Sequence, residues 1–534
     1  MDILTGFNTR RTPQTQRANK QQIKNAAGGY VYQVNDYDRL LRFLTLGSAS
    51  GAFYVGASKL TRDNAEFIIG LVEKSEDDHR VLVDTIVEVS KGGRAPKNDY
   101  ALFALAIAGS FGSDVGKKYA LAHLADVART GTHLLTFAKY IEQFRGWGRG
   151  LRRAVGSWYL DKSPERAAFQ AVKYRQRDGW SHRDLLRLSH PKTVDSGMRS
   201  VFHWVTSGQI EGNVPYIIEG FVKAQEPGAD IPKLIREYNL TWEMLPTEAL
   251  NSTLVWDALL DNGMPQTALM RQLPRLTRLG LLPNMGGRTN EIAAQLADTE
   301  RLVKARVHPV NVLIAQRTYA QGRSFRGDSQ WAPSRKIVDA LDDAFYNAFG
   351  AVEPAGKRTL LALDISGSMG QMIDNMPLTA HEASAALALV QMRTEPDVEV
   401  VGFSSSNGRM FGPSELVPLQ ISPRQRLDDV IRWTSGLPFG GTDCSLPMQY
   451  ATKNGLEIDT FVTYTDNETW GGHMHVDQAL QEYRQKSGIN AKLVVVGMTA
   501  TESTVANPED PNSLDVAGFD ASVPKLINDF SRGL

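Results

Sequence analysis

Between about residues 36 and 350 the apolar positions recur three and four residues apart, broken roughly every ten to fifteen residues by Gly, Pro or a short polar turn. That period lays one apolar stripe along a helix. It predicts helices over Asp63–Lys74, Asp78–Lys91, Tyr100–Ala108, Val115–Arg129, Thr247–Asp261 and Gln266–Leu279. So many short helices fit a stacked array of antiparallel pairs of the HEAT kind, although no strict sequence period separates that from an irregular helical domain. From about 355 the pattern changes. Apolar runs at 359–364, 398–403, 459–465 and 491–498 alternate with helical ones near 377–394, 424–433, 443–453, 475–487 and 523–532. Continuous apolar runs of that length read as strands buried on both faces, so this part is predicted to be a parallel sheet covered by helices, a doubly wound α/β domain. The predicted organisation is multidomain: a flexible basic arm over 1–30, an all-α part over 31–352 and the α/β domain over 353–534.

Composition sharpens this division. At 534 residues the chain exceeds one ordinary core. Its formal charge of zero hides an asymmetry: residues 353–534 hold 23 Asp and Glu against 13 Lys and Arg, leaving 36 acidic and 46 basic residues elsewhere. A basic helical part joined to an acidic α/β part directs the first toward a polyanion. The lone cysteine, Cys444, excludes an internal disulfide and fits a reducing cytoplasm; a small buried side chain is a plainer role for it than a nucleophile. No apolar stretch follows Arg10-Arg11, so no leader is expected, and no run approaches the ~18 apolar residues of a membrane span. The expected location is cytoplasmic.

Candidate chemistry begins where the first apolar strand ends, in Asp364-Ile365-Ser366-Gly367-Ser368. Asp364, Ser366 and Ser368 place a carboxylate and two hydroxyls at alternate positions of one turn, a donor set suited to a hard divalent cation such as Mg²⁺. Thr442, in Gly440-Gly441-Thr442-Asp443, offers another hydroxyl, and Asp466 ends the apolar run Phe461–Asp466. Ligands at the C-terminal ends of different strands fit the crevice of an open α/β sheet. In type, order and strand context these segments resemble the metal-ion-dependent adhesion site of a von Willebrand factor A domain. That resemblance implies a bound divalent cation, Mg²⁺ foremost, held by Asp364, Ser366, Ser368, Thr442 and Asp466. His473 and His475 lie nearby and could also bind a metal, but two histidines in a Gly-rich loop read more plainly as polar surface. No catalytic constellation stands out: position 366 is Ser rather than an acid, and no phosphate loop is present, so an enzyme is not expected.

The densest positive stretch lies between Lys139 and Lys192, with Arg145, Arg149, Arg152, Arg153, Lys173, Arg175, Arg177, Arg183 and Arg187 interleaved by Trp147, Trp158, Tyr159, Tyr174 and Trp180. Lys173 and Arg177, four apart, are expected to share a helix face, as are Arg183 and Arg187 on a following helix that Ser181 and Asp184 open as a capping box. Such a surface neutralises phosphates and stacks unpaired bases; the plainer alternative is a solvated basic face over buried aromatics, with Trp158 and Trp180 in the core.

The run from Lys173 to Lys192, Lys-Tyr-Arg-Gln-Arg-Asp-Gly-Trp-Ser-His-Arg-Asp-Leu-Leu-Arg-Leu-Ser-His-Pro-Lys, closely resembles the signature of the TROVE module of the Ro autoantigen family. Trp147–Arg152, Arg129–Leu134, Met264-Pro265 and Thr267–Leu269 match it further, while Gln272 departs from the expected Asn. The resemblance spans nearly the whole chain in the family's order. It implies a monomeric ring of HEAT-like helical repeats closed by the A domain. Y RNA would bind the outer basic surface, and single-stranded ends of misfolded or precursor non-coding RNAs would enter the central hole. Work in RNA quality control, ribosomal RNA maturation and the stress response would follow, with exoribonucleases such as polynucleotide phosphorylase as partners. Carried over by position, Lys173, Arg177 and His190 would contact Y RNA, with Arg183, Arg187, His133, Arg149 and Arg152 as further candidates. A histidine before Pro191 is also a natural helix C-cap, so two readings of His190 stand. The alternative function is a metal-dependent protein adaptor in which the A domain recruits a partner and the helices only carry it.

Overall fold

The computed structural model describes residues 11–48, 57–324, 327–350, 352–373, 377–405, 414–434 and 441–534. Arg10 and Gly440 lie outside the described residues.

Polar caps punctuate the helical part where the sequence changes register. Asn35 caps the helix Asp36–Leu46, Ser75 caps Glu76–Gly92, Ser113 caps Asp114–Ala122, Thr130 caps Gly131–Glu142 and Ser163, ahead of Pro164, caps Pro164–Lys173, each side chain accepting from a backbone N–H of the first turn. Two expected helices divide. Val115–Arg129 is Asp114–Ala122 followed by the short Leu124–Val127, and Thr247–Asp261 opens with a 3₁₀ turn before Thr253–Asp261. Helices pack on near neighbours in the chain, for example Ala57–Lys74 on Glu76–Gly92, Tyr216–Ala224 on Ile231–Tyr238, and Pro309–Ala320 on Arg335–Asn347. This is the stacking of a helical-repeat array.

Eleven strands are described. β1 (Gln22–Lys24), β2 (Tyr30–Gln33), β3 (Gln176–Arg177) and β4 (Trp180–Ser181) precede the α/β domain, which contains β5 (Thr359–Asp364), β6 (Val398–Ser405), β7 (Ser414–Pro418), β8 (Thr460–Thr465), β9 (Lys492–Gly497), β10 (Ser503–Thr504) and β11 (Ser513–Ala517). The main sheet runs β11-β9-β8-β5-β6-β7. It is parallel except at β7, which pairs antiparallel with β6, so the expected parallel sheet is a mixed one with a reversed edge strand. The chain leaves β5 for β6 on one side and returns to β8 on the other. The order therefore reverses between β5 and β8, and the carboxyl ends of those two strands flank the crevice where such sheets bind ligands.

The array closes on this domain at both ends. Near its start, Arg42 on the first helix is fully buried against Asp515 of β11 and donates to the carbonyls of Thr501 (3.2 Å) and Ser503 (2.7 Å). Near its finish, Arg317 pairs with Glu382, and Arg393 of the α/β domain reaches Asp342 at 3.7 Å. The seam is completed by His308, whose Nε2 donates to the carbonyls of Arg94 (2.9 Å) and Phe519 (2.8 Å) while Nδ1 accepts from the Val310 amide. One apolar core runs without a break from the helices after residue 167 onto one face of the sheet, at Leu361, Leu363 and Ala383–Val390. The helical part is thus a ring closed by the α/β domain rather than a module tethered to it.

The first residues of the described chain correct one expectation. Residues 11–33 are not a flexible arm: β1, β2 and β10 form a three-stranded antiparallel sheet, and the segment lies across the α/β domain with Gln14, Gln22 and Asn25 buried. Gln14 and Asn25 donate to loop carbonyls of the domain, at Met474, Asn467 and Thr469, that burial would otherwise leave unpaired. Gln22 accepts from the Ala18 and Asn19 amides of its own segment, and Val31 joins the domain's apolar core.

Candidate nucleic-acid interface and cation site

The signature run folds as a helix end, a tight hairpin and a second helix. Pro164–Lys173 stops at Lys173, where Tyr174 leaves helical geometry. β3 and β4 pair through a two-residue turn, Asp178-Gly179, with φ of 54° and 86°. Positive φ at both positions is the type I′ geometry that Asp-Gly favours. Lys173 and Arg177 therefore do not share a helix face, correcting that expectation. Lys173 is turned inward, 9 % exposed at the side chain, with its ammonium 3.6 Å from Glu243 and flanked by the rings of Phe169 and Tyr174. Arg177 projects outward from the hairpin, 58 % exposed, 3.6 Å from Asp178.

Ser181 and Asp184 form the expected capping box at the start of His182–Ser189. Leu185 and Leu186 point inward, while Arg183 and Arg187 are exposed one turn apart. His182, which carries no functional signal in the sequence, is core: its Nδ1 meets the Tyr159 hydroxyl at 2.7 Å and its ring stacks on Trp158. Burial holds that imidazole neutral, its pKa lowered to about 4. Trp158 is fully buried as expected, but Trp180 is only half-buried and lies against Trp147, ring centroids 5.4 Å apart.

His190 serves as the helix C-cap in left-handed geometry (φ 45°), its N–H donating to Leu186 O, and its ring is exposed. The cap reading is therefore realised by the backbone and leaves the imidazole available to a ligand. His133 is half-buried with Nδ1 3.4 Å from Asn98 Nδ2, and burial followed by the nearby Arg129 charge lowers its pKa to about 4. Arg149, Arg152 and Arg153 are exposed on the first turns of Arg149–Leu160, a helix whose N-cap is Gly148 and whose first turn has no acid. Cations at that end oppose the helix dipole, a cost that an incoming anion offsets. Arg152 is steadied by its Nε bond to Trp147 O at 2.8 Å.

The cation-site residues are buried together. Asp364, Ser366, Ser368, Thr442 and Asp466 are each at most 3 % exposed. Ser366 Oγ and Ser368 Oγ are 3.0 Å apart, Ser366 N–H donates to Asp364 Oδ1 at 2.9 Å, and Thr465 Oγ1 donates to Asp364 Oδ2 at 2.7 Å. Asp466 Oδ1 accepts from Glu468 N–H at 3.0 Å, while its Oδ2 is buried without a partner. Burial, then the charge of Asp466, pushes the Asp364 carboxyl up, and burial does the same for Asp466. The 442–444 loop closes the site: Cys444 Sγ is 3.6 Å from Thr465 Oγ1, the same hydroxyl that holds Asp364. Two buried carboxylates beside hydroxyls, one oxygen unpaired, are a donor set that a hard divalent cation fits.

His475 is not polar surface. It is buried at the N-cap of Val476–Ser487, with Nδ1 3.2 Å from Gln22 Nε2 and Nε2 2.8 Å from Gln16 O. Both ring nitrogens are engaged by the N-terminal segment, so His475 is not placed to hold a metal.

Comparison with known proteins agrees with this architecture. Residues 23–211 and 233–318 match the TROVE domain, and residues 358–531 match the Ro60 vWA domain. The chain is similar to the RNA-binding protein RO60 of Deinococcus radiodurans, 41 % identical over 541 residues with 100 % of this chain and 99 % of that protein aligned. It is also similar to the RNA-binding protein RO60 of Caenorhabditis elegans, 34 % identical, covering 99 % and 93 %. The crystal structure of the Deinococcus radiodurans RO (RSR) protein superimposes with a TM-score of 0.70 at 40 % identity, covering 93 % of this chain and 100 % of that one. The TROVE array, the vWA domain and likeness over the full length together make this chain a member of the Ro60 family.

Proposed function

We propose that this protein binds non-coding RNA without cleaving it. Y RNA would lie on the outer basic face around Arg177, Arg183, Arg187, His190, Arg149 and Arg152, and single-stranded ends of misfolded or precursor RNAs would enter the centre of the ring. The observation that carries this is the outward projection of Arg177, Arg183 and Arg187 from a rigid hairpin and helix, beside an exposed His190 ring. Cations carried on a paired hairpin and a capped helix neutralise phosphates with no backbone left to order, and guanidinium planes stack on unpaired bases. Lys173 and His133 contribute from below: one is matched by Glu243 and the other faces Asn98. In the cytoplasm the protein would take part in RNA quality control, ribosomal RNA maturation and the stress response, with an exoribonuclease such as polynucleotide phosphorylase as partner.

The same reading assigns a divalent cation, Mg²⁺ foremost, to Asp364, Ser366, Ser368, Thr442 and Asp466. Bound there, it would supply a Lewis-acidic contact for a partner's oxygen, while Thr465 and the Glu468 amide hold the two carboxylates in place.

Gel-shift titration of a structured small RNA tests the RNA face. Reversing Arg177, Arg183 and Arg187 to Glu should abolish tight binding, and replacing them with Gln should lower the salt slope by about 0.7–0.9 for each phosphate no longer neutralised. Unchanged affinity in the Glu variant would remove the face from the interface. The unpartnered Asp466 Oδ2 favours a second reading, the metal-dependent adaptor. Asp364→Ala in a pull-down separates the two: loss of protein partners with RNA binding intact supports the adaptor, and the reverse excludes it. Mg²⁺-dependent RNA cleavage by pure protein would overturn the non-enzymatic assignment.

A further inference from the structure

The segment 11–33 ends up on the loops that carry two of the proposed cation ligands, and its contacts there are specific. Gln14 is 0 % exposed. Its Nε2 donates to Asp443 Oδ1 at 2.7 Å and to Met474 O at 2.9 Å, and its Oε1 accepts from the Thr469 hydroxyl. That hydroxyl lies 3.3 Å from Thr442 O and accepts from the Cys444 amide at 3.2 Å. One buried amide thus joins the residue after Thr442 to the loop that follows Asp466. No side chain fits between them: a Cβ on Gly472 would lie 2.5 Å from both Asp443 Oδ1 and Gln14 Nε2.

A second clasp grips the other ligand. Asn25 Nδ2 donates to Asn467 O (3.2 Å) and Thr469 O (2.9 Å), fixing the backbone just after Asp466, where Asn467 takes left-handed geometry. The Ala27 amide donates to the Glu468 carboxylate at 2.8 Å, and the Glu468 amide in turn holds Asp466 Oδ1. The segment is itself braced by Gln14 N–H to Gly472 O (3.0 Å) and Tyr30 N–H to Gln14 O (2.8 Å).

We propose that residues 11–33 form a clamp that sets the cation affinity of the site, with Gln14 and Asn25 as positioning residues that fix the spacing of Thr442 and Asp466. This rests on the cation-site reading given above. Groups that orient ligands without touching the metal commonly change its affinity by about 10–100-fold, and coupling of this kind is reciprocal: whatever the clamp contributes to cation binding, the cation returns to the clamp.

The test titrates the full-length protein with Mn²⁺, followed by electron paramagnetic resonance of the free ion. Three variants accompany the wild type: Asp364→Ala, Gln14→Leu and Arg11→Ala, the last removing an exposed tie to Glu482 that touches neither loop. The expected result is saturable binding by the wild type, none by Asp364→Ala, affinity lowered about 10-fold or more in Gln14→Leu, and no change in Arg11→Ala. Hydrogen exchange of the unmodified protein supplies a readout that does not depend on a variant folding. Saturating Mn²⁺ should slow exchange of the Gln14 and Tyr30 amides but not of amides in the Lys173–Ser189 hairpin and helix. Failure of the wild type to bind Mn²⁺ overturns the cation site itself, and the clamp with it. Wild-type binding with unchanged affinity in Gln14→Leu, or with no slowing at Gln14 and Tyr30, overturns the clamp alone.

Discussion

Replacing Arg42 by Met tests how the ring is closed. Arg42 is 0 % exposed at the side chain and its partner Asp515 is 7 % exposed. The guanidinium also serves Thr501 O and Ser503 O, so three acceptors depend on it. Breaking a buried pair by removing one partner costs about 3–5 kcal/mol, chiefly because the surviving charge stays out of water. Exchanging both partners for apolar groups removes that term. Arg42→Met with Asp515→Leu should cost only about 1–3 kcal/mol, the remainder being the two carbonyls and the Thr504 hydroxyl left without Asp515. The expected coupling is therefore about 2 kcal/mol or more. Hydrogen exchange on peptides from Asp36–Leu46 and Ser513–Ala517 reads the opening of this seam directly. At ~1.4 kcal/mol per decade, the single variant should exchange at least about 100-fold faster there, with the double variant well behind it. Proton linkage supplies an independent check. Burial raises the Asp515 pKa and Arg42 opposes that rise, so without Arg42 the folded-state value climbs further above the unfolded one. The penalty is then full above that folded value and shrinks as pH falls and Asp515 takes up a proton. A single variant costing under about 1 kcal/mol, or a double variant as damaging as the single costs combined, would refute the reasoning.

Three further outcomes follow from the same structure. His308 is buried and neutral, its pKa lowered to about 4 from 6.5; the unfolded chain therefore binds the extra proton between those values, and stability at the seam should fall by up to about 3 kcal/mol as pH drops from 6.5 to 4, a slope that His308→Gln flattens in pH-dependent thermal unfolding. Gly472→Ala, whose Cβ would strike both Gln14 and Asp443, should cost about 1–3 kcal/mol and loosen residues 11–33 to limited proteolysis, whereas a wild-type digestion pattern would show that the packing there gives way freely. Gly179→Ala, at φ 86°, should cost about 1–2 kcal/mol and speed exchange across β3 and β4 without touching the vWA domain; unchanged exchange would mean that the turn adopts another geometry.

The central strands of the vWA domain are legible because a strand buried on both faces is apolar at every position, as Leu360–Leu363 is. β7 and β11 are not, because each carries an acid among its apolar residues, Glu415 in one and Asp515 in the other, which breaks the continuous apolar run. The N-terminal segment reads as an arm for a different reason. Its hold on the domain comes from the buried amides of Gln14 and Asn25 together with Val31 in the core, and hydropathy scores a buried, satisfied amide as a surface residue. Four-residue spacing puts Lys173 and Arg177 on one helix; the Asp178-Gly179 dipeptide, the best short-range hairpin signal in the stretch, points to a chain reversal instead. The proposed cation site is legible in its candidate ligands but not in its bracing. The Asp-x-Ser-x-Ser pattern is local, whereas Gln14 reaches Asp443 across more than 400 residues of chain.

The charge asymmetry between the two parts of the chain carries more than one meaning. Read from the sequence, the excess of cations before residue 353 points outward, to a polyanion. In the structure several of those cations face the vWA domain: Arg11 to Glu482, Arg39 to Glu502, Arg42 to Asp515, Arg94 to Asp520 and Arg317 to Glu382. Two pairs run the other way, from Arg393 to Asp342 and from Arg426 to Asp339. A repeat array has two ends that would otherwise expose apolar surface, and one acidic domain meets cations at both. The ends differ in kind. The first is fixed by buried charge, at Arg42 and Arg94, whereas the second is fixed mainly by the apolar core that continues from the last helices onto the sheet. Salt screens exposed pairs and leaves packed apolar surface intact. At the first end Arg42–Asp515 and Arg94–Asp520 are shielded from solvent, whereas Arg11–Glu482 and Arg39–Glu502 are open to screening. RNA affinity and ring closure should therefore respond to salt differently: binding weakens steeply as Arg177, Arg183 and Arg187 exchange phosphate for counterion, while the two shielded pairs keep the closure. A ring that opened over the same salt range in which RNA was released would show that the two sets of cations are not separate.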